Sequence, residues 1–322
     1  MVAQRDAWAQ EVIALAHDDE RIILLDGDLA TSTKANLFAE KFPDRFYQMG
    51  IAEQNLVGVA AGMSTVGHVP WISSFGVFFT QRSLDQIRML VAQTGANVKI
   101  AGHYTGLLNG GSGKTHQDIE DLAILRAMPG MTVIAPADER ECRAAVRWAV
   151  ANDGPVYLRL ARDNEEDVLP EGAQVAPDTV VRLRDGADVA LISTGVQTAR
   201  TARAAALLEL RGIRAAHFHV PFLKPLSGDT LAAAIAGFAE VITVEEHSVY
   251  GGLGGMVAEV VAERTASVRV RRIGLADSWS ESAPNDFLLD RYGLSSERVT
   301  EQVSALLATP QTDNSEERAC VR

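Results

Sequence analysis

Cysteine is nearly absent. The 322 residues hold only Cys142 and Cys320, too few and too far apart for a disulfide framework or a cysteine zinc site. That fits a reducing compartment. The seven histidines are scattered, and none has the spacing of a helical zinc-protease motif. No metal site of the chain's own is expected. Long apolar runs are missing too. None approaches the roughly 18 residues that span a bilayer, and Met1-Val2-Ala3-Gln4-Arg5-Asp6 lacks the apolar core of a signal peptide. Basic charge is in deficit: 30 Lys and Arg against 42 Asp and Glu leave a net charge of −12. Phosphate polymers and anionic membranes would be repelled, although a local basic pocket for one small phosphate is not. The expectation is a soluble, cytoplasmic protein without nucleic-acid or membrane partners.

Two glycine-rich stretches fail as nucleotide motifs. Gly111-Ser112-Gly113-Lys114-Thr115 lacks the P-loop's first glycine, since Leu108 stands there. It reads instead as a loop near a ligand. Gly251-Gly252-Leu253-Gly254-Gly255 would need its last dinucleotide-binding glycine at Val257. It reads as close packing at a helix start.

What is present is an alternation. Short apolar runs at 21–25, 69–72, 97–101, 131–135 and 156–160 read as buried parallel strands. Helical stretches separate them, among them 4–17, 53–63, 81–93, 119–128 and 138–152. A second series follows, with strands at 189–193, 215–220 and 241–244 and helices at 198–211, 230–238 and 252–264. The fold class is therefore α/β, two domains, each a mostly parallel sheet flanked by helices. The boundaries read as a first domain over 1–165, a charged, proline-containing linker over 166–185, a second domain over 186–310 and a disordered polar tail over 311–322.

Polar residues collect where strands of the first series end, the usual place for ligands in such sheets. Glu53 follows Gly50-Ile51-Ala52 and opens an apolar helix. Such a carboxyl suits acid–base work, or simply an acidic first turn stabilised by the helix dipole. Phe75, Phe78 and Phe79 read as core or as an aromatic platform, and His116 as a cap or a catalyst.

Together these segments resemble the carboxyl-terminal two-thirds of thiamine-diphosphate enzymes of the transketolase family. The resemblance rests on Gly50-Ile51-Ala52-Glu53-Gln54-Asn55, on the phenylalanine run ending in Gln81-Arg82, on Gly113-Lys114-Thr115-His116-Gln117, and on Asp153-Gly154-Pro155 leading to Leu160-Ala161-Arg162-Asp163-Asn164. It covers about residues 1–310. It implies a pyrimidine-binding domain followed by the family's C-terminal domain.

Glu53 would hydrogen-bond the aminopyrimidine of thiamine diphosphate and so promote the cofactor carbanion. Phe79 would stack on that ring, with Phe75 and Phe78 as further walls and Asp28 lining the cofactor site. His116 and His103 would face the reacting carbons. Arg5, Ser32, His103 and Arg162 resemble a sugar-phosphate clamp, which favours phosphosugar substrates. Arg82 resembles an arginine of deoxyxylulose-phosphate synthase. Ser112 stands where the family carries an Asp four residues before the matched histidine, so the donor sugar is left open.

The Gly-Asp-Gly segment that binds the diphosphate through Mg²⁺ in full-length relatives is not found. The resemblance therefore implies a transferase subunit, inactive without a diphosphate-binding partner that brings the Mg²⁺ ligands, in a two-plus-two heterotetramer. The alternatives are a subunit of a deoxyxylulose-phosphate-synthase-like or 2-oxoacid-decarboxylating enzyme, and a non-catalytic scaffold of the same fold.

Overall fold

The computed structural model describes residues 2–163, 166–170, 172, 175–265 and 267–308. The expected disordered tail, 311–322, lies outside the described residues.

The apolar runs become strands buried at every position: β1 (Ile22–Asp26), β3 (Val69–Phe75), β4 (Lys99–His103) and β6 (Val156–Leu160). With β2 (Phe46–Gln48) and β5 (Thr132–Ile134) they pair in parallel, in the order β5-β6-β4-β3-β1-β2. Continuous apolar sequence suits them because helices cover both faces. The helix Glu139–Ala151 shows how. Asp138 caps it by accepting from the Glu141 amide at 2.9 Å. Cys142, Ala145, Val146 and Ala149 then fall on one buried stripe, which packs with Trp8 and Val12 of the helix Gln4–Asp18.

The second sheet runs β12-β11-β8-β9-β7, from β7 (Val181–Arg184), β8 (Val189–Ser193), β9 (Ala215–His219), β11 (Glu240–Ser248) and β12 (Arg269–Leu275). Its pairings are parallel except for β7, which lies antiparallel at the edge within the stretch read as a linker. One further strand, β10 (Phe222–Lys224), follows β9 in the chain yet pairs antiparallel with β5 of the first sheet. The stretch read as one helix over 81–93 is interrupted: wide π-type turns at Phe78–Arg82 and Ile87–Ala92 flank Leu84–Gln86. Such turns often mark functional sites. Among the described residues no helix is long and apolar enough to cross a membrane.

A buried polar seam joins the two sheets. Arg159 of β6 donates to Asp121 at 2.8 Å and to the Glu246 carbonyl of β11 at 3.0 Å. His219 of β9 pairs with Glu141 at 2.7 Å. Burial holds the imidazoles of His103 and His217 down at about 3, with the charge of Arg5 adding to the effect at His103 and that of His219 at His217. An unfolded chain takes up these protons below about 6.5, whereas the folded chain refuses them until near 3. Stability is therefore complete above about 6.5 and lost as the pH falls below it, by about 2 kcal/mol per histidine at about pH 5. Urea midpoints at about pH 7.5 and pH 5 test this. The acid loss should shrink in His217→Asn, and an equal loss in that variant would refute the assignment.

Candidate active site at the carboxyl edge of the first sheet

β1 ends at Asp26, whose buried carboxylate ties down the next turn. It accepts from the Leu29 amide at 2.7 Å, from Thr33 Oγ1 at 3.4 Å and from Gln48 Nε2 at 3.5 Å, and burial pushes it above the usual carboxylate range. Asp28 is exposed just beyond, in the left-handed region at φ 68°, its amide donating to Gln48 at 3.0 Å.

Glu53 is the first residue of the helix Glu53–Ser64 and is wholly buried. Arg82, on the wide turn after β3, donates to Glu53 Oε2 at 2.7 Å. Glu53 Oε1 is buried without a hydrogen-bond partner. A buried acceptor left open is costly and marks a place where a donor fits. The Arg82 guanidinium lies over the ring of Phe78, 4.5 Å from its centre.

A line of rings leads away from this carboxyl. Phe78 meets His116 edge-on at 5.5 Å and stacks with Phe75 at 5.9 Å. Phe75 stacks on Tyr104 at 4.3 Å. His116 is half-buried, with Nδ1 2.8 Å from Thr115 Oγ1. Phe79 stands elsewhere. It is fully buried in the apolar core with Leu56 and Ile87, so the ring beside Arg82 and His116 is Phe78.

At the far end stand two guanidinium groups. Arg5 Nη1 donates to the Tyr104 hydroxyl and, at 3.0 Å, to the Ser32 carbonyl. The Tyr104 hydroxyl in turn donates to the Ser32 carbonyl at 3.1 Å. Arg5 and exposed Arg162 lie 5.6 Å and 5.3 Å from the centre of the Tyr104 ring. Arg5, Ser32 and Arg162 thus lie together around Tyr104, with the Ser32 carbonyl accepting from both Arg5 and Tyr104.

His103 does not join them. It is fully buried, its ring edge-on to Trp8 at 4.7 Å, and neither ring nitrogen has a partner. Successive strand residues face opposite ways, and His103 takes the inward place at the end of β4. The next residue turns the other way. Tyr104 adopts φ 58°, strained for a non-glycine residue and characteristic of functional sites. Sequence reasoning missed Tyr104. The signal was the stretch from His103 to His116, one residue longer than the family pattern, which counting from Tyr104 removes.

This edge of the sheet therefore has a carboxyl at one end, a cationic pair at the other and an aromatic line with an imidazole between. No group of three or more His, Cys, Asp or Glu among the described residues is placed to hold a metal ion.

Comparison with known proteins identifies the family. Residues 1–166 match the family model of the transketolase pyrimidine-binding domain, and residues 178–299 that of the transketolase C-terminal domain. The chain belongs to the transketolase family. A transketolase C-terminal section of Methanocaldococcus jannaschii is 37% identical over 302 residues, covering 93% of this chain and 94% of that one. A 6-deoxy-6-sulfo-D-fructose transketolase subunit of Clostridium sp. (strain MSTE9) is 35% identical over 295 residues, with 92% and 91% covered. A solved structure titled as a split-gene transketolase, inactive beta4 tetramer, superposes with a TM-score of 0.85 at 40% identity, covering 95% of this chain and 98% of that one. These matches support a transferase-type enzyme of this family, and thiamine-diphosphate dependence is the family's property.

Proposed function

We propose that this chain is the pyrimidine-binding subunit of a two-component transketolase that moves a two-carbon ketol unit between phosphosugars. Residues 1–165 would form the pyrimidine-binding domain and 186–310 the C-terminal domain, with the stretch 166–185 between them ending in β7 at the edge of the second sheet. The observation that carries the reading is the open, buried oxygen of Glu53 at one end of an aromatic line whose other end is flanked by two arginines. The relatives named as a section or a subunit, and the tetramer titled inactive, support a division of labour between chains.

The residues present fit the cofactor. Thiamine diphosphate, when bound, supplies the nucleophilic carbon that takes up and passes on the ketol unit. Glu53 would share a proton with a ring nitrogen of its pyrimidine through Oε1. Phe78, backed by Phe75, would wall the ring, and Asp28 would line the rim. His116 would hold a donor hydroxyl or move a proton from it. Arg5 and Arg162 would bind the terminal phosphate. Mg²⁺ and its ligands would come with the partner subunit, in a two-plus-two heterotetramer.

Calorimetry with thiamine diphosphate and Mg²⁺ tests the reading, on the chain alone and then with its diphosphate-binding partner. No binding alone and tight binding in the mixture are expected, followed by ketol transfer on phosphosugars. Tight Mg²⁺-dependent binding by the chain alone would overturn the divided site. Release of carbon dioxide from pyruvate by the pair would favour a decarboxylating enzyme.

A finer prediction concerns Tyr104. Hydrogen bonds to charged groups are worth about 1.5–3 kcal/mol, so Tyr104→Phe should raise KM for the phosphosugar about tenfold or more by loosening Arg5. Steady-state kinetics check it. An unchanged KM would remove Tyr104 from the clamp.

A further inference from the structure

The glycine-rich loop that ends in His116 is gripped by the other domain. Its first residues are held by β11: Glu246 Oε1 accepts from the Leu107 amide at 2.8 Å and from the Leu108 amide at 3.3 Å. Glu246 is itself buried and paired with Arg200. The loop's middle is held by the segment after β12. The Gly110 amide donates to Asn285 Oδ1 at 3.0 Å, the Ala283 amide to the Gly110 carbonyl at 3.1 Å, and Ser282 Oγ to the Gly111 carbonyl at 2.8 Å. Its end is held by Ser280, whose hydroxyl donates to Gln117 Oε1, while Gln117 Nε2 donates back to the Leu107 carbonyl at 2.9 Å. The Gln117 amide is thus fixed at both ends, one residue from His116.

The glycines now have a reason. A Cβ at Gly106 would overlap the Glu246 carboxylate, and one at Gly110 would overlap the Ala283 carbonyl and Asn285. The loop is small because the second domain presses against it.

We propose that Ser280 and Glu246 of the second domain are positioning residues that set the place of His116. The inference rests on reading His116 as the residue that faces substrate. An imidazole displaced by about 1 Å can lose on the order of 10²-fold in rate. The second domain would then be part of the active-site framework.

Glu246→Gln is the direct test but disturbs a buried ion pair, so Ser280→Ala is the variant of choice. Two measurements are made: hydrogen exchange of the Leu107, Leu108 and Gly113 amides in the full chain, and kinetics of the reconstituted pair. In Ser280→Ala the loop amides should exchange about tenfold faster, and kcat should fall about tenfold with KM within roughly twofold. Ser280→Thr, which keeps the hydroxyl, should restore both. Unchanged loop exchange, or faster exchange with an unchanged kcat, would overturn the proposal. If the wild-type pair transfers no ketol unit, the proposed function fails on its own, and the exchange data still decide whether the second domain holds the loop.

Discussion

Glu53→Gln should lower ketol transfer by the reconstituted pair by about 10²–10⁴-fold, the usual share of a positioned acid–base group. The amide has nearly the same size, so the helix Glu53–Ser64 and its packing persist. It can accept one hydrogen bond but cannot exchange a proton with a ring nitrogen. Arg82 loses its ion pair, yet its side chain is 44% exposed, and water replaces the partner at little cost. Assembly with the partner should be unchanged and cofactor affinity should change far less than rate. That contrast distinguishes a catalyst from a scaffold. A pair that turns over as fast with Glu53→Gln as without it would leave the fold in place and remove the proposed chemistry.

Arg159→Met should destabilise the chain by about 3–5 kcal/mol, the penalty for removing one partner of a buried ion pair. Arg159 and Asp121 are 5% and 0% exposed. Asp121 also accepts from the Tyr157 hydroxyl at 2.9 Å, and its other oxygen has no hydrogen-bond partner. Without Arg159 the buried Asp121 carboxyl loses the partner that offsets its burial. Its neighbour Asp118 feels that carboxyl already: burial, and then Asp121, push the Asp118 carboxyl up to about 8. Adding Asp121→Leu to Arg159→Met should recover much of the loss, because an apolar pair carries no stranded charge. Denaturant midpoints of the single and double variants measure this. A loss under about 1 kcal/mol would mean that solvent reaches the seam.

Much of this was legible because it is local. The runs 156–160 and 189–193 became β6 and β8 without change, since a strand buried on both faces is written as unbroken apolar sequence. Glu53 stood out only through the family resemblance carried by Gly50-Ile51-Ala52-Glu53-Gln54-Asn55, because a carboxyl at a helix start fits an acidic first turn equally well. Features that depend on distant residues were not legible. β12 carries Arg269, Arg271 and Arg272 and so hides its alternation. β10 is three residues whose partner lies in the other half. His103 and Tyr104 differ by one step along a strand end, and only the turn of the backbone decides which reaches Arg5. Ser280 and Asn285 have no sequence signal toward the His116 loop. They meet it across a separation of more than 160 residues.

The strand exchange at β10 has a consequence for dissecting the protein. The Ala135 amide donates to the Pro221 carbonyl at 2.8 Å, and Phe222 pairs with Ile134. A fragment stopped in the 166–185 stretch would leave β5 as a bare, apolar sheet margin, the kind that pairs with other copies and aggregates. The complementary fragment would carry Phe222, which is fully buried in the whole chain, with nothing to cover it. The two halves are therefore separate as shapes but not as folding units, and complementation with halves cut in that stretch should yield insoluble pieces unless they are synthesised together.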